Sequence, residues 1–161
     1  MEIIEVKQVN NALAEMVALF RVELRSYKGI ASKPNIEAGR EEMEEYLSAK
    51  FPVFAALVDG EYAGYVVCRV DSGVVWVESI FVKEEYRRHG IATALHSKAE
   101  EIAAFYGENT VYNYVHPNNH RMIEFLRKRG YTVLNLIEIR KPYQGENLTQ
   151  AIHVGEHEFD Y

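Results

Sequence analysis

The chain has 161 residues, 48% of them hydrophobic and 26% charged, and a net charge of −6. These are the proportions of one soluble domain large enough to bury a core, and the acidic balance argues against a general nucleic-acid footprint. A single cysteine excludes an intrachain disulfide and a cysteine-based metal cluster, no apolar run reaches the ~18 residues of a membrane span, and Met1 to Glu5 lacks a secretory signal pattern, so a cytoplasmic location is expected.

In chain order, Ile3 to Val6 reads as a short strand. Val9, Leu13, Met16, Val17, Phe20 and Leu24 recur at helical spacing and predict a long amphipathic helix ending near Gly29. Lys33-Pro34-Asn35 breaks the chain, and Ile36 to Ala49 predicts a second, highly charged helix. Val53 to Val58 and Tyr62 to Val70, joined by Asp59-Gly60, predict a β-hairpin. A turn at Asp71-Ser72-Gly73 leads into a third strand, Val74 to Val82. Ile91 to Tyr106 predicts a helix closed by Gly107, and Thr110 to Val115 a strand. Pro117-Asn118-Asn119 opens a helix through Arg129, which Gly130 caps, with Asn118 the expected cap. Tyr131 to Ile139 reads as a strand, and Ala151 to Val154 as a last one within the tail, residues 141–161. The order β-α-α-β-β-β-α-β-α-β-(β) predicts one α+β domain over residues 1–161, with a mixed, mostly antiparallel sheet flanked by helices and a right-handed crossover after Val74.

The strongest chemical signal is Arg87-Arg88-His89-Gly90-Ile91-Ala92, a basic turn between an apolar strand and an amphipathic helix. The first N–H groups of a helix have no intrahelical acceptor, and the helix dipole favours an anion there. Gly90 permits close backbone approach. A phosphate-cradling turn is therefore expected. The nucleotide-binding pattern Gly-x-x-x-x-Gly-Lys-Ser/Thr is absent. Cys68 sits in an apolar strand and reads as a small core residue. His116 and His120 are separated by Pro117 and do not share a helical face, so no metal site is expected.

With this element order and the turn Arg87 to Ala92, the chain resembles the GCN5-related N-acetyltransferase (GNAT) family, whose acyl-CoA pyrophosphate signature is Gln/Arg-x-x-Gly-x-Gly/Ala. His116 to Tyr131 resembles the family's asparagine, helix and glycine-aromatic segment. The resemblance covers about Ile3 to Arg140 and implies the acyl-CoA N-acyltransferase fold, with acetyl-CoA as co-substrate. It places the pantetheine arm in a gap between Val74–Val82 and the next strand, against Ile80, Phe81 and Val82. Arg87, Arg88, His89, Gly90, Ile91, Ala92 and Thr93 surround the pyrophosphate, and Asn119 also contacts the cofactor.

The implied reaction is direct attack of a primary amine, on a small molecule or a protein, at the acetyl carbonyl. The Ile80 N–H is the expected oxyanion donor. Glu78, a carboxylate inside an apolar strand beside the gap, is the candidate base, because partial burial makes a carboxylate a stronger proton acceptor. The tyrosine that many members use as general acid is replaced by Leu126; Tyr114 is the candidate in its place, with Tyr112 and Tyr106 as alternatives. The first helix and the loop after it shape the acceptor site in the family, so Glu23, Arg25, Tyr27 and Lys28 are substrate-site candidates, together with Glu78. The overall acidity suits a cationic acceptor. A second reading is a non-catalytic acyl-CoA-binding sensor of the same fold. For oligomeric state there is only the general commonness of dimers.

Overall fold

A computed structural model describes the whole chain, residues 1–161. The chain divides into two compact units, Met1–Phe125 and Leu126–Tyr161. No helix is long and apolar enough to cross a membrane.

The first unit is built on a five-stranded sheet in the order β1-β2-β3-β4-β5, with β1 at Glu2–Glu5, β2 at Val53–Val58, β3 at Glu61–Asp71, β4 at Val74–Val82 and β5 at Tyr112–Asn113. The first four strands pair antiparallel, and β5 joins β4 in parallel. The two hairpins form where turn chemistry predicts: Asp59-Gly60 and Ser72-Gly73 all adopt positive φ, the conformation of a two-residue turn that matches strand twist.

The alternation of side chains along β3 explains the layers. Tyr65 and Val67 face helices α1 (Asn11–Ser26) and α2 (Ile36–Ser48), joining Leu13, Met16, Val17, Met43 and Phe81 in one buried cluster. Val66 and Cys68, pointing the other way, are equally buried and lie on the side of α3 (Ile91–Phe105), whose Leu95 reaches Gly64 of β3. Burial pushes the Cys68 thiol up to about 12, so it packs as an apolar side chain. Asn10 and Asn35 cap α1 and α2 by accepting from Leu13 and Ala38 N–H.

Two expected strands differ. Thr110 to Val115 contributes only Tyr112–Asn113 to the sheet. Tyr131 to Ile139 forms no strand, and its apolar residues stand in solvent, Val133 at 87% and Leu134 at 68% exposure. Alternation there is real, but a strand also needs a neighbouring strand for its N–H and C=O groups, and this run joins no sheet. In the second unit β6 (Ala151–Val154) pairs with β7 (His157–Asp160) as a separate hairpin. Helix α4 spans His120–Lys128. It closes as predicted at Gly130, φ +90, with Tyr131 N–H reaching back to the Leu126 carbonyl.

Candidate functional site

The sheet opens where β4 leaves β5. These strands pair only at Trp76–Tyr112 and Val77–Asn113, so β4 from Glu78 onward has no partner on that side. Register decides which atoms face the opening. Lys83 N–H donates to the Ala63 carbonyl at 2.9 Å, which makes this a hydrogen-bonded pair. By antiparallel alternation Phe81 and Ser79 bond to β3, while Ile80 and Val82 turn their N–H and C=O into the gap. Arg87 Nε donates to the Val82 carbonyl at 2.9 Å from that side. Phe81 therefore departs from the expected set: its backbone belongs to the ladder and its ring is buried beside Phe20 and Tyr65.

Beyond β4, Glu84–Tyr86 makes a single 3₁₀ turn, Arg88 and Gly90 adopt left-handed conformations with φ of +67 and +79, and α3 begins at Ile91. No side chain caps α3, so the amides of Ile91, Ala92 and Thr93 emerge from the helix end without a capping acceptor. A Cβ on Gly90 would meet nothing within 4 Å. Glycine is thus demanded by backbone conformation rather than by protein crowding, and the hollow is open to a ligand. A non-glycine residue at positive φ, as at Arg88, is characteristic of ligand clamps. Arg88 and His89 are exposed at the turn. Arg87 instead points back and pairs with Glu23 at 2.9 Å.

Glu23 on α1 gathers the surrounding groups. Its carboxylate accepts from Arg87, from Arg121 on α4 and from Tyr27 Oη at 2.8 Å. Burial raises the Tyr27 phenol above its ordinary value. Tyr27 stacks on His116 with ring centroids 6.2 Å apart, and its carbonyl accepts from Asn118 Nδ2 at 2.9 Å. Asn119, not Asn118, is the helix cap, accepting from Met122 N–H at 3.1 Å. Asn118 is held away by its bond to α1, which leaves the next residue to satisfy the helix end. Burial, and then the charge of Lys28, lowers the His116 pKa.

Glu78 is the extra residue of a β-bulge: Val67 and Cys68 are successive on β3, but their partners are Ser79 and Val77. Bulges re-aim side chains beside functional sites. Here Glu78 pairs with Arg69 at 3.1 Å, and Arg69 lies 4.3 Å over the Trp76 ring. Trp76 in turn touches Tyr112, with centroids 5.6 Å apart. Tyr114, just past β5, is 64% exposed; Tyr106 follows α3 and is also exposed. Leu126, at the position where the resemblance leads one to expect a tyrosine, is buried.

The sequence reading missed Tyr46, Glu42 and Arg21. Arg21 Nε donates to Glu42 at 2.6 Å, and Tyr46 Oη donates to the same carboxylate at 2.6 Å. Burial and then the Glu42 bond drive the Tyr46 phenol strongly up, the charge of Glu78 adding to the effect. Arg21 is raised chiefly by its bond to Glu42. The sequence carried one usable signal, since Glu42 and Tyr46 lie four residues apart on one helical face. It missed the buried His96 as well, which meets Asn113 of β5 at 3.2 Å from its place on α3.

The turn can thus receive an anion on main-chain amides, and the Ile80–Val82 edge can bond an extended, amide-bearing arm. Comparison with known proteins agrees. Residues 16–131 match the model of the acetyltransferase (GNAT) family. An N-alpha-acetyltransferase of Sulfurisphaera tokodaii is 32% identical over 110 residues, 60% of this chain; the match spans 64% of that relative, less than two thirds of its length. Among solved structures, the PaiA N-acetyltransferase of Thermoplasma acidophilum with coenzyme A superposes at TM-score 0.67 and 20% identity, covering 85% of this chain and 94% of that one. The aminoglycoside N-acetyltransferase AAC(6')-Iy with CoA does so at 0.62 and 22%, covering 87% and 95%. The chain belongs to the GNAT acetyltransferase family, whose co-substrate is acetyl-CoA.

Proposed function

We propose that this chain transfers the acetyl group of acetyl-CoA to a primary amine by direct attack. The observation that carries the reading is the continuity of two features, an uncapped α3 start behind left-handed Arg88 and Gly90 and a strand edge whose Ile80 and Val82 groups bond no neighbouring strand. A diphosphate fits the first, and an amide-bearing pantetheine arm fits the second as an added strand. In this reading Arg88 to Thr93 hold the diphosphate and Asn119 adds a contact through Nδ2, since its Oδ1 is taken. Arg87 and Glu23 act by position, tying the turn to α1.

The amine nitrogen attacks the acetyl carbon, the C–N bond forms, and the C–S bond breaks. Ile80 N–H donates to the oxygen where negative charge gathers. Glu78 takes the amine proton through the carboxylate oxygen that Arg69 leaves free. Tyr114 supplies a proton to the thiolate, which with a thiol pKa of about 8.5 can also leave unaided. Tyr27 lies on the acceptor side. The relative from Sulfurisphaera tokodaii favours an α-amine as acceptor. The aminoglycoside enzymes share the fold at 22% identity, which names no acceptor here.

The test is release of free thiol from acetyl-CoA in the presence of free-amino-terminal peptides and small amines, with mass spectrometry of the acetylated product. Amine-dependent release is expected. Tight coenzyme A binding without turnover on any amine would overturn the transferase reading in favour of the sensor.

A further inference from the structure

Helices α1 and α2 touch where Gly39 meets Ala14 and Ala18, then part into a groove of about 460 Å³. Arg21, Arg25, Lys28 and Lys33 line it, against one carboxylate, Glu42. Glu42 is already engaged by Arg21 and Tyr46. Arg25, Lys28 and Lys33 are exposed and take part in no ion pair. Three uncompensated cations therefore share one concavity in a chain whose net charge is −6.

Spacing makes this a surface rather than a scatter. Arg21 and Arg25 fall at i and i+4 on one stripe of α1, and Lys28 follows in the turn just past the helix end, its N–H bonded to the Arg25 carbonyl. Like charges at i, i+4 destabilise a helix, and Arg25 has no acidic neighbour offsetting that cost. The acidic residue in the middle of this segment, Glu23, is bonded to Arg87, Arg121 and Tyr27. A positive concavity with a low-dielectric wall concentrates anions, and its volume lies in the ordinary range for a ligand site.

One end of the groove adjoins the reaction gap. Glu23, two residues before Arg25, holds Arg87, whose Nε donates to the Val82 carbonyl on β4. Tyr27, next to Lys28, stacks on His116 and accepts through its carbonyl from Asn118, in the segment that carries Asn119. A molecule with a negative group in the groove can extend toward the gap past this end.

We infer that the groove binds a carboxylate or phosphate close to the reacting amine, so that the acceptor is an acidic peptide amino terminus and a polycation is rejected. This deepens the transferase reading and rests on it. It also replaces the expectation of a cationic acceptor drawn from net charge, because the local potential at the site, not the total charge, selects the ligand.

The test uses three peptides with free α-amino groups that differ at the second residue: glutamate, phosphoserine or lysine. Calorimetry measures their binding to the whole chain with coenzyme A present, which cannot transfer an acyl group. The glutamate and phosphoserine peptides are expected to bind at least tenfold tighter than the lysine peptide, their order distinguishing carboxylate from phosphate. The triple variant Arg25→Glu, Lys28→Glu, Lys33→Glu is expected to invert the preference without changing coenzyme A affinity; all three positions are exposed. Equal binding of the peptides, or an equal effect of the triple variant on all of them, overturns the inference. Acidic peptides that bind but are never acetylated sink the transferase reading and leave the groove assignment standing. Preferential acetylation of the lysine peptide does the reverse.

Discussion

The two sides of the gap are made of different material. On the proposed cofactor side the groups on offer are main-chain: left-handed Arg88 and Gly90, an uncapped helix start, and the free edge of β4. On the proposed acceptor side they are side chains, with Arg69–Glu78 across one hairpin, Glu42–Tyr46 along one helix and Glu23–Arg87 between distant elements as the organising pairs. A backbone site depends on dihedral angles that a few adjacent residues impose. A side-chain site depends on packing between elements. The first tolerates changes in side-chain identity but not in conformation, and the second behaves in the opposite way.

The largest effect should come from forcing the backbone side. Gly90→Val places a β-branched residue at φ +79, where such residues are genuine outliers. Coenzyme A affinity by calorimetry should fall about 100-fold, roughly 2.7 kcal/mol, while backbone strain of about 1–3 kcal/mol lowers the thermal unfolding midpoint by a few degrees without preventing folding. Retained affinity would break the contrast, since the cradle would then not depend on backbone conformation. Next, Glu78→Gln keeps shape but removes the carboxylate opposite Arg69. It should lower kcat about 100-fold and abolish the low-pH fall in the pH–rate profile while sparing coenzyme A affinity. An unchanged profile would move the base elsewhere.

A smaller effect tests packing. Gly39→Val would put a Cβ 2.3 Å from the Ala14 carbonyl. Overpacking of this kind costs about 1–3 kcal/mol, measurable by urea denaturation, and acceptor KM should rise with coenzyme A affinity intact. If both substrates suffer alike, the two sides are not independent.

The smallest effect concerns His116. Burial and Lys28 lower its folded pKa below the ordinary value, so the fold favours the neutral ring. The stability this contributes is present above about 6.5 and is lost as pH falls through that value toward the lower folded pKa. Between pH 8 and 5 the wild-type urea midpoint should therefore drop further than that of His116→Asn. Parallel curves would show that the ring does not report on this cluster.

Much of the molecule was readable in advance because it is local. Asp59-Gly60 announced a hairpin, Gly130 a helix end, and Arg87 to Ala92 a turn between strand and helix. The strand Val74 to Val82 was bounded correctly because turn residues flank it on both sides. What the sequence concealed depends on partners far along the chain. Nothing near Glu23 says that it will hold Arg87 and Arg121, and nothing near Asn118 says that it will bond the Tyr27 carbonyl and leave the cap to Asn119. The run Tyr131 to Ile139 has the right alternation for a strand but joins no sheet, and alternation speaks only of side chains.

The sequence by itself determined most of the order of elements, the hairpin turns, and the glycine turn that joins β4 to α3, because each follows from dihedral preferences and periodicity within a few residues. Only the tertiary structure decided that β4 bulges at Glu78, that Ile80 and Val82 rather than Phe81 face the opening, and that three unpaired cations meet between α1 and α2 in an acidic chain. Register and interhelical spacing result from packing the whole core, and no short stretch of sequence encodes them.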